Sequence, residues 1–178
     1  RKYNVPQGFL LSEQLKQHTN EVYSMVLNKK GNVLYSGSLD MSIKDWGVET
    51  NLPITNFQGH SDGITVLRMA GSENTLASGS MDNTVKIWNV SEKKCTHILK
   101  GHTKQITDIA MSSKDEMLCS SSLDGTIRIW NMKADYELIL SLGAKEDYTD
   151  GRQMSEGKAN RKPSVDTYDD VEEKGFKN

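Results

Sequence analysis

The chain has 178 residues and a net charge of −2 at pH 7, so it lacks the overall basic field that favours a nucleic-acid partner. No stretch approaches the ~18 consecutive apolar residues of a membrane-spanning helix, and the apolar part of the N-terminal segment is too short for a signal peptide. Two cysteines, Cys95 and Cys119, lack metal-ligand spacing and are typical of reduced thiols. We therefore expect an intracellular protein, cytoplasmic or nuclear, with no membrane span.

The leader, residues 1–17, precedes the repeated part of the chain. It begins with Arg1 rather than Met, which favours a piece of a longer protein. The stretch FLLSEQLKQ precedes His18 as CTHILKG precedes His102. The leader is therefore predicted to carry a stray outer strand of a preceding repeat.

Residues 18–142 contain one pattern three times, with predicted repeats at about 18–59, 60–101 and 102–142. The stretches YSGSLDMSIKDW, ASGSMDNTVKIW and CSSSLDGTIRIW align at a step of 42 residues without an insertion. His, Leu, Ser, Asp and Trp all keep this step. A period of about 40–45 residues, with His near the start of each repeat and Trp near the end of its third segment, predicts one propeller blade per repeat.

Each repeat contains four short β-rich segments separated by turn residues, which predicts four strands. In the second repeat these segments are 64–70, 75–81, 84–90 and 95–100. The apolar residues of each first strand are spaced by three and then by two, which breaks the alternation of a regular strand. A β-bulge restores it, and the predicted bulges are Tyr23-Ser24, Thr65-Val66 and Thr107-Asp108.

The tail, residues 143–178, has scattered apolar residues and mixed charges. Such a composition cannot bury enough surface to offset chain entropy. It predicts a disordered charged tail or linker.

These motifs resemble the WD-repeat β-propeller family over about 125 of the 178 residues. The Gly-His pair of that family is present at Gly59-His60 and Gly101-His102. The resemblance implies an all-β fold, a partial β-propeller of three four-stranded antiparallel blades. Because three blades cannot surround a channel, we expect an arc of a larger, seven-bladed propeller. The remaining blades would come from a longer chain or from another protomer.

The resemblance also implies a buried structural tetrad in each blade. Buried indole needs an acceptor, serine can accept its proton and donate to one imidazole nitrogen, and the other nitrogen can donate to aspartate. By motif position the tetrads are His18, Ser36, Asp40 and Trp46; His60, Ser78, Asp82 and Trp88; and His102, Ser120, Asp124 and Trp130.

Ser, His and Asp are also the constituents of a hydrolase triad. A nucleophile needs exposure and an oxyanion hole and occurs once per site, whereas this trio occurs three times in phase with Trp. We therefore expect no catalytic site. Each repeat offers one histidine at the tetrad position, so no metal and no cofactor is expected either. His97 is interpreted as a surface residue.

Departures from the family pattern concern the first repeat above all. Gln17 replaces the glycine of the Gly-His pair, and Gly47, Asn89 and Asn131 stand where Asp usually follows Trp. Asp45 occupies the position of Ile87 and Ile129, which is expected to be packed between blades. A buried carboxylate is costly, so either Asp45 finds a cation or the first repeat is an exposed or irregular blade.

The family binds protein partners on the narrow face formed by the bulges and tight turns. By motif position this narrow face consists of Glu21, Tyr23, Leu39, Gly63, Thr65, Met81, Gln105, Thr107 and Leu123. These side chains either form a partner-binding patch or merely line the mouth of the channel.

The resemblance implies a non-catalytic scaffold or adaptor that binds proteins or peptide segments. The alternative is the substrate-selecting propeller region of a multidomain enzyme, such as a kinase or ubiquitin ligase.

Overall fold

The structure, a computed structural model, describes residues 15, 17–50 and 52–143. The stray outer strand expected in the leader and the disorder expected in the tail therefore fall outside the described residues, apart from three positions at the edges of these segments. The described residues form twelve strands. They include no helix long and apolar enough to cross a membrane.

The twelve strands form three separate four-stranded antiparallel sheets, which we call blades 1, 2 and 3. Blade 1 contains β1 (Val22–Leu27), β2 (Val33–Ser38), β3 (Ser42–Gly47) and β4 (Leu52–Gln58). Blade 2 contains β5 (Ile64–Met69), β6 (Thr75–Ser80), β7 (Val85–Asn89) and β8 (Lys94–Leu99). Blade 3 contains β9 (Ile106–Met111), β10 (Met117–Ser122), β11 (Thr126–Asn131) and β12 (Glu137–Gly143). Each blade is a meander in chain order, which confirms the predicted fold class.

The predicted bulge is present in the first strand of every blade. In blade 2, Ile64 pairs with Ser80 and Val66 with Gly79, so Thr65 is the extra residue. Tyr23 and Thr107 have the same place in β1 and β9. Because of this extra residue, Ile64 and Leu67 point into the same core despite a spacing of three.

A second bulge lies in the fourth strand of each blade and was not predicted. Opposite Ile87 and Trp88 of β7, the pairing in β8 passes from His97 directly to Cys95, which leaves Thr96 as the extra residue. Ile54 and Ile139 are the extra residues of β4 and β12.

The turn between the second and third strands requires one residue with a left-handed backbone. Asn83 (φ 68°) and Gly125 (φ 81°) adopt this conformation readily, whereas Met41 (φ 67°) carries a side chain that disfavours it. A hydrogen bond from the amide of each of these residues to the last serine of the preceding strand closes the turn.

The hydrophobic core lies between blades rather than within one sheet. One cluster joins blades 1 and 2 and includes Ile43, Phe57 and Trp88. A second joins blades 2 and 3 and includes Val85, Ile87 and Trp130. In blades 2 and 3 the leading face carries the Trp and packs on the preceding blade, and in blades 1 and 2 the trailing face packs on the following blade. The equivalent faces of blade 1 and blade 3 are given the same names.

Two sheet faces have no neighbouring sheet within the described residues. On the leading face of blade 1, Met25 is 65% exposed, while its counterpart Leu67 in blade 2 is fully buried. On the trailing face of blade 3, Ile127 is 47% exposed, while its counterpart Val85 is fully buried. The sequence positions that build the two inner cores are therefore repeated on the two end faces.

Candidate functional site

The structure brings the four side chains of each predicted tetrad together. In blade 2, Trp88 Nε1 donates to Ser78 Oγ at 2.8 Å, Ser78 Oγ donates to His60 Nε2 at 2.6 Å, and His60 Nδ1 donates to Asp82 Oδ2 at 2.7 Å. The same three distances are 2.7, 2.8 and 2.7 Å in blade 1 and 3.1, 2.9 and 2.9 Å in blade 3. Each tetrad ties the loop before the first strand to the second and third strands of its blade.

The direction of these hydrogen bonds follows from the chemistry of their ends. Indole can only donate, and an ionised carboxylate can only accept. The imidazole therefore carries its proton on Nδ1, facing the aspartate, and accepts the serine proton on Nε2. The hydroxyl has one proton, which it donates in the hydrogen bond to the imidazole, so no proton is left for another acceptor.

Each tetrad aspartate also holds the tight turn that follows it. In blade 1, Asp40 Oδ1 accepts hydrogen bonds from the amide (3.0 Å) and hydroxyl (2.6 Å) of Ser42, and Oδ2 accepts one from the amide of Thr19 (3.0 Å). Burial alone would raise the pKa of Asp40, but the hydrogen bonds from Ser42, His18 and Thr19 outweigh burial and lower the pKa to about 2.

The other two tetrad aspartates are shifted in the same direction. Burial opposes ionisation in both. The pKa of Asp82 is nevertheless lowered, chiefly by hydrogen bonds from His60 and Thr84. That of Asp124 is lowered by hydrogen bonds from Thr126, the amide of Thr103 and His102. All three carboxylates are therefore stabilised as anions inside the fold.

A second set of serines was missed by the sequence analysis. Ser80 is fully buried; its hydroxyl donates to the carbonyl of Asp62 at 3.0 Å and accepts from the amide of Asp82 at 3.0 Å. Ser38 and Ser122 make the same two contacts in blades 1 and 3. Their constant step of 42 residues was the available signal. These serines bring the two loops of the narrow face together.

Asp45 is buried, with 1% of its surface exposed, and its carboxylate forms an ion pair. Lys93 Nζ of blade 2 lies 2.5 Å from its Oδ2 and also 5.1 Å from the centre of the Phe57 ring. Among the described residues, none donates a hydrogen bond to Asp45 Oδ1. Blade 1 itself has the same strand order and register as the other two, so the pairing with Lys93 is the way in which the carboxylate is accommodated.

His97 lies outside the tetrads and joins blade 2 to blade 3. Its Nε2 donates to Asp135 Oδ1 at 2.8 Å, and its ring lies 4.7 Å from that of Tyr136. It is half-buried rather than fully exposed. Among the described residues there is no group of three or more His, Cys, Asp or Glu side chains arranged to hold a metal ion.

The nine residues of the narrow face differ in how accessible they are. Glu21, Tyr23, Thr107 and Leu123 are exposed, with Tyr23 at 58% and Leu123 at 57%. Leu39, Thr65, Met81 and Gln105 are half-buried, and Gly63 is buried.

Three of these residues are occupied by contacts between blades. A Cβ atom at Gly63 would lie 2.5 Å from Leu39 Cδ2, so Leu39 of blade 1 packs directly on the backbone of blade 2. The hydroxyl of Thr65 donates to the carbonyl of Ile106 at 2.6 Å. Leu39, Gly63 and Thr65 therefore hold adjacent blades together. The exposed part of the face consists of Glu21, Tyr23, Thr107 and Leu123.

Four-stranded antiparallel sheets, each with a tetrad on its leading face, define blades of a β-propeller of the WD-repeat type. The family model described as "WD domain, G-beta repeat" matches residues 9–44, 51–89 and 93–131. The chain belongs to this WD40 family. Its members are generally non-catalytic protein-interaction scaffolds.

The individual proteins that resemble this chain match it over only part of their own length. F-box/WD repeat-containing protein 10 of Mus musculus is 37% identical over 54 residues, which are 30% of this chain and 5% of that protein. The solved structure titled "Structure of U3-55K" is matched with a TM-score of 0.69 at 21% identity over 73% of this chain. The "Crystal structure of RRP9 WD40 repeats" is matched with a TM-score of 0.69 at 22% identity over 75%. The chain spans 41% and 42% of those two solved chains, and the likeness to them shows the fold.

Proposed function

We propose that this chain is part of a non-catalytic scaffold that binds protein partners or peptide segments on its narrow face. The observation that carries the proposal is the exposed set Tyr23, Thr107 and Leu123, which lies on a frame fixed by the tetrads and the buried serines. Aromatic and apolar side chains on a backbone that is already ordered suit a protein interface, because little backbone entropy is lost on binding.

The tetrads are proposed to be structural rather than catalytic. In each one the serine hydroxyl has its proton donated to imidazole and its oxygen occupied by the indole N–H. A nucleophilic serine would instead have to face a substrate and an oxyanion hole. Occurrence of the same arrangement in all three blades supports the structural role.

A site-specific photo-cross-linking experiment tests the binding face. A photoreactive phenylalanine derivative at Tyr23 or Leu123 is expected to capture protein partners in cells. The matched control places the same group at Met117, which is 46% exposed at the opposite end of its blade. Equal capture from both ends, or capture at Met117 alone, would reject the narrow face as the binding surface.

An alternative is that the array selects substrates for a multidomain enzyme such as a kinase or ubiquitin ligase. It is favoured by the name of the mouse relative, which joins WD repeats to an F-box. Sequencing the complete transcript distinguishes the two: an F-box or a catalytic domain beyond Arg1 or Asn178 supports the alternative.

We further propose an intracellular site of action, in the cytoplasm or nucleus, with no nucleic-acid partner. The remaining blades are proposed to come from a longer chain or another protomer.

A further inference from the structure

The turn between the first and second strands of each blade carries a contact that the tetrads do not explain. In blade 3 this first turn contains Asp115, whose Oδ1 accepts a hydrogen bond from the amide of Gly71 at 2.7 Å and whose Oδ2 accepts one from the amide of Ser72 at 2.8 Å. Gly71 and Ser72 are in the first turn of blade 2. One carboxylate thus binds two consecutive amides of the preceding blade.

The same contact occurs one blade earlier. Glu73, 42 residues before Asp115, accepts a hydrogen bond from the amide of Lys29 in the first turn of blade 1. Both acidic residues have left-handed backbones, with φ of 60° for Glu73 and 53° for Asp115. We call this contact the first-turn latch. It is a charge-assisted pairing of an anion with turn amides, which are a recurrent anion-binding arrangement in proteins.

Blade 3 carries the receiving half of a further latch. Ser113 and Lys114 are the counterparts of Gly71 and Ser72, one step of 42 residues later. Both residues are exposed, and within the described part of the chain no group accepts a hydrogen bond from their amides. Beside them lies the exposed trailing face of blade 3, which repeats the positions buried between blades 2 and 3.

A second copy of this chain would not supply the missing carboxylate. The blade that a second copy could bring to this face head-to-tail is its blade 1, whose first turn has Gly31 where Glu73 and Asp115 stand. The two residues before it are Lys29 and Lys30, which would face Lys114. Like charges at close range oppose such a pairing.

We propose that the amides of Ser113 and Lys114 form a carboxylate-binding site. We infer that the occupant of this face is a further four-stranded blade with Asp or Glu in its first turn, not a second copy of this chain. This site lies at the opposite end of the blade from the narrow face, and the proposal does not depend on the binding function proposed for that face. Of the two sources proposed for the remaining blades, it excludes another copy of this chain as the blade on this face.

A duplicated blade provides the test. Residues 102–143 are repeated once directly after Gly143 in the full chain, which places a copy of Asp115 next to Ser113 and Lys114. Hydrogen exchange of these two amides is expected to slow about tenfold or more relative to the original chain, because they become hydrogen-bonded in a buried contact. The matched control has glycine, the residue of blade 1, in place of the copied aspartate; the slowing should be lost while circular dichroism shows the added sheet folded.

Fast exchange in a folded duplicated chain, or equally slow exchange with and without the copied carboxylate, would overturn the proposal. If the added sheet does not fold, Asp115→Gly in the original chain tests the existing latch between blades 2 and 3, on which the proposal rests. Exchange of the Gly71 and Ser72 amides should then rise about tenfold, because they lose their acceptor. Unchanged exchange at both amides would show that the latch does not exist.

Self-association tests the exclusion of a second copy. Gly31 has a left-handed backbone (φ 71°), and a Cβ atom there would have no neighbour within 4 Å, so Asp and Asn meet no clash and carry similar backbone strain. By sedimentation, Gly31→Asp is expected to self-associate about tenfold more tightly than Gly31→Asn, since only the former restores a charged latch. Identical behaviour of the two variants, or tight association of the unchanged chain, would contradict the inference.

Discussion

Asp45 shows how a single residue departs from the repeat and what the departure costs. Ile87, its counterpart in blade 2, is packed in the core between blades 2 and 3, whereas Asp45 depends on one lysine and leaves one oxygen without a donor among the described residues. Replacing a buried ion pair by apolar side chains is often neutral or stabilising, because desolvation offsets the attraction. Asp45→Ile is therefore expected to raise the free energy of unfolding by about 1–2 kcal/mol in urea titrations.

The partner of Asp45 provides the control. Lys93→Met removes the cation and leaves the carboxylate buried, which is expected to destabilise the fold by about 3 kcal/mol. Lys93 itself is partly exposed, so in Asp45→Ile its ammonium can turn to water. A melting temperature that falls in Asp45→Ile, or an unchanged one in Lys93→Met, would show that the pair is net stabilising or irrelevant.

Among the three equivalent turn residues Met41, Asn83 and Gly125, Met41 fits its turn least well. Non-glycine residues pay about 1 kcal/mol for a left-handed backbone, and asparagine pays less than most. Because blade 2 has Asn83 at this position with nearly the same φ, Met41→Asn is expected to stabilise the chain by about 0.5 kcal/mol or more in thermal unfolding. The reverse change, Asn83→Met, should lower stability by a similar amount; equal melting temperatures for all three chains would contradict this account.

The tetrad carboxylates make stability depend on pH in the acid range. Their pKa values are lower in the folded than in the unfolded chain, about 2 against 3.8 for Asp40. The unfolded chain therefore takes up protons first, and the stabilisation, complete above about pH 4, is lost as the pH falls towards 2. Urea titrations at a series of pH values check this. Asp40→Asn should be less stable at pH 7 and lose less on acidification; a parallel decline would count against it.

At the scale of the element, the tetrad is expected to determine whether a blade holds its loop. His60 is the central member in blade 2, and its loss leaves the Ser78 hydroxyl without its acceptor and removes one donor from Asp82. His60→Gln is expected to cost about 2–3 kcal/mol. The matched control, His97→Gln, alters a half-buried histidine paired with an exposed aspartate, and should cost less than about 1 kcal/mol. Loss of an enzymatic turnover with stability unchanged would instead support a catalytic role.

The repeated elements could be read from the sequence because each position is present three times. The strands, the first-strand bulges and the tetrad members all recur at 42 residues, so a deviation in one repeat is outweighed by the other two. The bulge in the fourth strand escaped because those strands lie at the exposed edge, where alternation of apolar residues is weak, as in β12. The buried second serine was present in every repeat and was overlooked.

Contacts between blades that occur only once could not be predicted in the same way. Lys93 reaches Asp45 across 48 residues, and His97 reaches Asp135 across 38, and neither pair recurs in the other blades. A pairing that occurs once leaves no periodic signal. The half-burial of Leu39 and Met81 has the same origin, since the packing of one blade on the next decides which turn residues remain exposed.

At the scale of the whole molecule, equivalent positions of the three repeats differ in burial. Leu67 and Ile109 are buried on the leading faces of blades 2 and 3, whereas Met25 has the same place on the open face of blade 1. Apolar surface that is already in water adds no stability to the fold, while apolar surface between blades is the main source of it. The contribution of a residue is therefore set by the presence of a neighbouring sheet rather than by its own blade.

Three serine substitutions at this one position separate the two situations. Leu67→Ser and Ile109→Ser are expected to lower the free energy of unfolding by about 3–5 kcal/mol, because each leaves a cavity and buries a hydroxyl. Met25→Ser should change it by less than about 0.5 kcal/mol, as at other exposed sites. Urea titration of the 178-residue chain measures all three. A cost at Met25 comparable to that at Leu67 would mean that another surface covers the leading face of blade 1, and would place that residue in a core rather than at an open end.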